Sequence, residues 1–442
     1  MRKKIGFISL GCPKNQVDSE LMLSKLDNAG YEIIDTAFGA DAVIINTCGF
    51  IEAAKQEAID NIFEMVELKE QGEVGKIIVI GCLAERYRDE ILKEIPEVDA
   101  VGGLGVNGDI VEFVNNVFKG EEKSRYPEKE KLPLCGQRIL TTPSHWAYLK
   151  ISDGCSNCCT YCAIPSIRGP FRSRTKEDII LEAKALAENG VKEIIVIAQD
   201  TTKYGEDIYG APVLHELLYS LNEIEGIEWI RLLYCYPDRI TDELLRAMSE
   251  CKKVLHYIDL PLQHASGKIL TAMNRHGDDK TLLSLIEKIR SYMPDCVLRT
   301  TFITGFPGET EEDFEILSQF VNDARFDRLG CFSYSPEEGT PAEKLPDRVE
   351  PDVAVNRGEI IMEQQFGIFS EKLKLLVGKT VECVVEDYDG YTDSYSGRTW
   401  MDAPEIDSGI NILSERELII GERVNVKITA VDEYDLIGTA DI

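Results

Sequence analysis

Cys155, Cys159 and Cys162 stand in the run Gly154-Cys-Ser-Asn-Cys-Cys-Thr-Tyr-Cys, a C-x3-C-x2-C spacing. Three thiolates this close along a chain can wrap one face of a cubane cluster. Cluster ligation normally takes four cysteines, so a triplet leaves one iron for a small molecule. A structural zinc site is the plainer reading of grouped cysteines, but it closes tetrahedrally on four ligands. Cys158 would supply the fourth by count, yet it abuts Cys159, and two adjacent side chains do not easily face one metal. The spacing therefore points to a cluster with an open iron.

At 442 residues the chain is expected to hold two or three domains. No apolar run approaches the length of a membrane span, so no membrane partner is expected. The start, Met1-Arg2-Lys3-Lys4, precedes a short strand-like run and lacks the features of a signal peptide. Thirteen cysteines, an odd number with one tight group, suit a reducing compartment and metal ligation rather than disulfides. The expected location is cytoplasmic. The net charge of −30 argues against nucleic-acid binding by the overall field and suits a basic protein partner. Acidity also serves solubility alone.

Residues 1–118 alternate strands and helices, the pattern of an α/β layered domain. Lys4–Leu10, Asp41–Asn46 and Lys76–Ile80 read as buried parallel strands, with helices over Ser19–Ala29 and Ile51–Lys69. Each strand runs into a cysteine: Cys12, Cys48 and Cys82. In a parallel sheet the carboxyl ends of strands share one edge, where ligand sites form. Three cysteines distant in sequence would meet there, with Gly11, Gly49 and Gly81 allowing close backbone approach, and a second three-cysteine cluster is expected. Buried cysteines at strand ends also occur as plain small hydrophobes.

Residues 119–143 are polar and read as a linker, in which Cys135 has no partner nearby. Residues 144–375 repeat strand then helix six times. The strands are Trp146–Ser152, Glu193–Gln199, Glu228–Tyr234, Leu255–Leu260, Val297–Ile303 and Arg328–Tyr334. Thr175–Asp178 and Thr310–Asp313 open helices as capping boxes, and Gly190 sits where a helix ends. Six units are too few for the eight-fold barrel, so an open (βα) three-quarter TIM barrel is expected. The cysteine loop follows its first strand, at the face where barrel chemistry collects.

Residues 376–442 turn to short β pieces: Thr380–Val385, Tyr395–Met401, Gly409–Ile412 and Arg423–Val431. They suggest a small antiparallel β-barrel of the oligonucleotide-binding or TRAM kind. From Leu376 onward there are 15 acidic and 5 basic residues, whereas a barrel that reads RNA should be basic.

The spacing of the 155–162 triplet resembles that of the radical S-adenosylmethionine (SAM) enzymes. The whole chain resembles the methylthiotransferases, most closely the branch acting on protein twelve of the small ribosomal subunit. The likeness rests on long strings: Ser9-Leu-Gly-Cys-Pro-Lys-Asn-Gln-Val-Asp-Ser-Glu20, Asn46-Thr-Cys-Gly-Phe-Ile51, Ile164-Pro-Ser-Ile-Arg-Gly169, Pro261-Leu-Gln-His-Ala-Ser266, Thr304-Gly-Phe-Pro-Gly-Glu-Thr310 and Met401-Asp-Ala-Pro-Glu-Ile-Asp407. The resemblance implies two 4Fe–4S clusters, one held by Cys155, Cys159 and Cys162 and an auxiliary one held by Cys12, Cys48 and Cys82. It implies SAM as cofactor, with Tyr161 against the adenine and Gln199, Gln263 and Gly305 as SAM contacts. Ordinary strand-end and turn roles serve those last three residues equally well. Cys158 departs from the family's usual residue at its position.

The implied reaction replaces an unactivated C–H on an aspartate β-carbon by C–S–CH3, consuming two SAM molecules. One SAM methylates a sulfur held on the auxiliary cluster, and the other yields the radical that abstracts the hydrogen. Such a hydrogen has no useful acidity, so acid–base groups cannot remove it and a cofactor must. No Ser-His-Asp or paired-carboxylate set is apparent, so no catalytic residue is expected beyond the cluster ligands; His256, His264 and His276 read as structural. The partners implied are the basic ribosomal protein and an electron donor protein.

The alternative within the family is a tRNA adenosine methylthiotransferase. The acidic barrel disfavours tRNA and marks Asp387, Asp389, Asp402, Glu405 and Asp407 as a surface for a basic protein. Outside the family stand an iron–sulfur electron carrier and a zinc-stabilised interaction protein. The first leaves the open coordination site without a purpose.

Overall fold

Uninterrupted Ile/Val runs, Ile77–Ile80 and Ile194–Ile197, mark one interior strand in each of the two large sheets, because strands covered on both faces favour apolar residues at every position. The computed structural model describes residues 2–132 and 134–441; Met1 and Ile442 at the ends, and Pro133 in the expected linker, lie outside the described residues.

The first sheet holds β1 (Lys4–Ser9), β2 (Glu32–Ile34), β3 (Ala42–Thr47), β4 (Ile77–Gly81), β5 (Ala100–Gly102) and β6 (Ser124–Arg125). All pairings are parallel, in the order β2-β1-β3-β4-β5-β6. The chain steps outward from β1 to β2 and returns to β3, so the direction of winding reverses between β1 and β3, where open α/β sheets place ligands. β6 falls inside the stretch read as linker. Farther along that stretch, Arg138 is pinned by Glu20 (2.6 Å), Glu182 and the carbonyl of Tyr148 (2.8 Å).

The helix expected from Ser19 begins six residues earlier, at Pro13. Proline suits the first helical turn, where its missing N–H is not needed. Its first turns are polar yet buried, including Asn15, Asp18 and Glu20. Asp18 finds its partners in the second domain and Glu20 at Arg138 and Thr141 in the stretch between the domains, while Asn15 donates to the carbonyls of Leu10 and Asn46 in its own domain.

The second sheet takes β7 (Trp146–Lys150), a small hairpin of β8 (Ser152–Asp153) and β9 (Arg172–Ser173), then β10 (Glu193–Ile197), β11 (Trp229–Leu232), β12 (Val254–Asp259), β13 (Val297–Thr304) and β14 (Arg328–Ser333). Six strands, β14-β13-β12-β11-β10-β7, run parallel without closing, the open barrel that six units imply. Thr310 and Asp313 form the full capping box, whereas at Thr175 only the hydroxyl half is made.

The carboxyl-terminal barrel closes from β15 (Thr380–Asp389), β16 (Ser394–Thr399), β17 (Ile410–Leu413), β18 (Arg423–Asp432) and β19 (Asp435–Ala440), in the order β15-β16-β17-β19-β18. It is antiparallel at four pairings; the fifth, β17 with β19, is parallel, which corrects the all-antiparallel expectation. β19 carries the closure, and it was not among the strands read from the sequence.

This barrel plugs the amino-terminal end of the open one. Side chains alternate faces along a strand, so Trp146, Tyr148, Ile195, Trp229 and Tyr257 share the concave face, where Val384 and Ala403 pack against them. Around that core runs a polar seam. Arg231 meets Glu193 at 2.9 Å, and Arg398 bridges Glu193 to Glu386. Tyr257 donates to Asp407 (2.6 Å), Tyr148 donates to Glu405 (2.9 Å), and Arg328 pairs with Asp402. Three of the five carboxylates read as a partner surface are thus committed to this seam. Asp387 and Asp389 remain exposed.

Candidate functional site

The free, carboxyl end of the open barrel faces the edge of the first sheet where its cysteines emerge. Cys12 follows β1 and precedes the helix Pro13–Asn28; Cys48 follows β3; Cys82 follows β4 and starts a short helix. β1, β3 and β4 are neighbours, so three positions spread over 70 residues arrive side by side. Two glycines permit the approach. A Cβ on Gly11 would stand 2.5 Å from the Cys48 Cβ, and one on Gly49 would stand 2.8 Å from the Leu83 backbone.

The second triplet lies on the loop after β8. The Cys155 N–H donates to the Gly169 carbonyl (3.1 Å), the Thr160 hydroxyl donates to that of Ala272 (2.8 Å), and Asn274 donates to that of Cys158 (3.0 Å). All six expected cysteines line a single cavity of about 400 Å³, together with Tyr161, Gln199 and Gln263. Gly305 does not line it; it turns the chain at φ +73° against Ala354, with its N–H donated to Glu309 at 2.8 Å. Cys158 is exposed, with φ +54°, and lies outside the wall. Among the described residues, His264 is buried away from the cavity, accepting the Ser266 N–H at 2.9 Å, and His256 pairs with Asp295.

Between the triplets sits a buried group of four charges. Asp18, from the first domain, pairs with Lys150 and with Arg168 (3.0 Å). Asp153 pairs with Lys150 (3.2 Å) and Arg168 (3.1 Å). The four formal charges cancel. Gln199 donates to Asp153 at 3.1 Å, and its carbonyl oxygen is buried without a partner. The thiols respond to these surroundings. Burial pushes Cys82 and Cys162 up to about 12 and Cys155 to about 11. Burial acts the same way on Cys12, but Lys14, Arg168 and nearby backbone N–H groups outweigh it and hold that thiol below its ordinary value.

Residues that sequence reasoning left without a role complete the wall: Lys14, Arg168, Tyr234, Tyr236 and Arg275. Cys235, read as core, is buried and also borders the cavity. Lys14 and Arg168 fall inside quoted strings, and only their spatial neighbours give them meaning. No Asp or Glu lines the cavity among the described residues, although the chain carries 78 of them. Tyr234 and Gln263 hold positive φ, +61° and +73°, a cost of order 1–3 kcal/mol each that tends to persist where a site requires it.

The donor set fits the expected groups. Six thiols in two sets, on a cationic wall, suit anionic clusters, and the unpartnered Gln199 oxygen is an acceptor for a ligand's N–H. Among the described residues, no three Cys, His, Asp or Glu side chains converge on a point as a single ion needs. The thiols instead surround a space.

Residues 4–103 match Uncharacterized protein family UPF0004, residues 149–321 the Radical SAM superfamily and residues 377–440 the TRAM domain. The chain is 48% identical over 99% of its length to all of the ribosomal protein uS12 methylthiotransferase RimO of Lachnoclostridium phytofermentans. It is 49% identical to that of Desulforamulus reducens, covering 98% of each chain. Among solved structures, the radical SAM methyltransferase TsrM of Kitasatospora setae, with cobalamin and a [4Fe-4S] cluster bound, superposes with a TM-score of 0.59 at 11% identity over 77% of both chains. That likeness is one of fold. With almost half its residues identical from end to end to such relatives, the chain belongs to the RimO family of ribosomal protein uS12 methylthiotransferases of the radical SAM superfamily.

Proposed function

We propose that this protein methylthiolates the β-carbon of an aspartate in ribosomal protein uS12, using two 4Fe–4S clusters and SAM. The observation that carries the reading is the meeting of both cysteine triplets on one cavity. Cys155, Cys159 and Cys162 would hold the cluster whose open iron takes SAM; Cys12, Cys48 and Cys82 would hold the auxiliary one. When bound, these groups supply the one-electron chemistry that removes an unactivated hydrogen, and the sulfur and methyl group that replace it.

The protein supplies placement, which is worth several kcal/mol when reacting atoms must meet in one orientation. The Asp18–Lys150–Asp153–Arg168 group ties the first domain to the barrel and so fixes the spacing of the triplets. Tyr161, against Ile269, Met273 and Phe306, offers an aromatic face to the adenine, and Gln199 and Gln263 offer polar contacts to SAM. A separate protein would deliver the electrons. Asp387 and Asp389, the carboxylates free of the seam, support a basic ribosomal protein as substrate and disfavour tRNA. The reading places the enzyme in the cytoplasm, where no membrane partner is needed; no helix among the described residues is long and apolar enough to cross a membrane.

Anaerobic incubation of the cluster-loaded enzyme with SAM, reductant and sulfide, offered uS12 and bulk tRNA in parallel, tests this by mass spectrometry. A methylthio mass gain on one aspartate of uS12 is expected. Gain on tRNA alone would refute the substrate.

A further inference from the structure

One cation on the cavity wall has no carboxylate partner there; its neighbours are the Cys12 thiol and Tyr234. Lys14 is 6% exposed, lines the cavity, and places its ammonium 3.1 Å from the centre of the Tyr234 ring. Among the described residues no carboxylate lies within ion-pair distance of it. Burying an ammonium is costly, and the Cys12 thiol beside Lys14, whose ionised form it favours, is shared with Arg168. A chain with a net charge of −30 does not lack acids to answer it.

The other cations beside the cavity are engaged differently. Arg168 is held by Asp18, Asp153 and Asn15. Arg275 donates to the Pro261 carbonyl (2.7 Å), lies over Tyr236, and faces Cys159 on the side where the cluster that takes SAM is expected. Lys14 stands on the opposite side, two residues after Cys12 at the start of the helix Pro13–Asn28. Its direction is fixed by the Tyr234 ring, since a cation over an aromatic face is held electrostatically. Tyr234 is itself constrained at φ +61°, with its N–H donated to Asp259 at 3.0 Å.

We propose that Lys14 recognises the substrate: its ammonium pairs with the side-chain carboxylate of the aspartate whose β-carbon is modified. The inference rests on the function proposed above and specifies how that site selects its residue. The β-carbon of an aspartate is bonded directly to the carboxylate carbon. Whatever seats the carboxylate on Lys14 therefore brings the β-carbon to the wall formed by Cys12, Cys48 and Cys82. Asparagine has nearly the same shape but no charge, and in a desolvated pocket a charge-assisted hydrogen bond is worth about ten- to hundred-fold in affinity.

The test uses cluster-loaded enzyme with SAM and no reductant, and labelled uS12 carrying either aspartate or asparagine at the position identified by mass gain. Binding is read by fluorescence anisotropy. Wild-type enzyme is expected to prefer aspartate by about ten-fold or more. Lys14→Met and Lys14→Gln, each checked for unchanged iron content, are expected to bind the two forms equally. A role confined to supporting the cluster would change iron content or spectra and leave the preference in place, so iron-replete variants that still prefer aspartate overturn the proposal. A wild-type enzyme with no preference overturns it whatever the variants do. Absence of any mass gain on uS12 would remove the functional reading itself, a different result from mass gain without preference.

Discussion

Replacing Asp18 by Asn takes one anion from a buried set of two cations and two anions, all with side chains no more than 3% exposed. Lys150 and Arg168 then share Asp153 alone, and a net positive charge is left out of reach of water. Breaking a buried pair from one side typically costs about 3–5 kcal/mol. Because Asp153 still contacts both cations, at 3.2 and 3.1 Å, the low end applies, about 3 kcal/mol. That corresponds to roughly a hundred-fold rise in the open population at the junction of the two domains. Native-state hydrogen exchange on the cluster-loaded enzyme reads it, through the amides of the helix Pro13–Asn28 and β7. The double variant Asp18→Asn with Lys150→Met removes one charge of each sign and should be less damaged than Asp18→Asn alone, a coupling of about 1–3 kcal/mol. Additive effects, or a change below about 0.5 kcal/mol for Asp18→Asn, would refute the claim that this charge set joins the domains.

At the seam with the carboxyl-terminal barrel, burial pushes the Glu193 carboxyl up, but Arg398 and Arg231 outweigh it and hold it below the usual range. A depressed carboxylate stabilises above its unfolded value, about 4.3, and loses that contribution as pH falls through its folded value. Acid should therefore loosen the seam below about pH 4, seen as a change in tryptophan emission from Trp229 and Trp400, and Glu193→Gln should weaken the seam at pH 7 while blunting the acid step; an unaltered acid step would contradict this. Cys158→Ser should leave iron content unchanged, whereas Cys159→Ser should lose about half of it, and equal losses would return Cys158 to the ligand set. Reversing charge at Asp387 and Asp389 should weaken uS12 binding in a salt-dependent way, whereas Asp402→Lys should lower the melting temperature, because Asp402 is buried against Arg328. Affinity indifferent to salt and to the first pair would remove the acidic docking surface.

Among the barrel strands, Glu193–Ile197 was legible as an apolar run buried on both faces, and Val297–Thr304 as an alternation of buried and half-buried residues. β5 and β6 escaped notice because two or three residues carry no periodicity. β19, Asp-Leu-Ile-Gly-Thr-Ala, buries Leu436, Gly438 and Ala440 on one face, but its polar residues and glycine give the sequence the composition of a loop. The helix Pro13–Asn28 was read only from Ser19, and the burial of its first turns was hidden because the partners of Asp18 and Glu20 lie more than 100 residues away, at Lys150 and Arg138. Distance along the chain hid the seam as well: Asp402 and Asp407 count as surface acidity until Arg328, Tyr257 and Arg299 come to meet them. The cysteines were readable from spacing and from their places at strand ends. The cations among them were not, since a lysine in a polar string gives no sign of burial.

The proposed function requires two clusters facing one cavity. Electron paramagnetic resonance of the reconstituted, reduced enzyme, with iron counted per chain, measures it. About eight iron atoms are expected, with the two signals broadened by mutual dipolar coupling. Replacing either Cys12, Cys48 and Cys82 or Cys155, Cys159 and Cys162 by alanine should leave about four irons and a single uncoupled signal. One cluster in the wild-type enzyme, or two whose signals are indifferent to each other's removal, would contradict it.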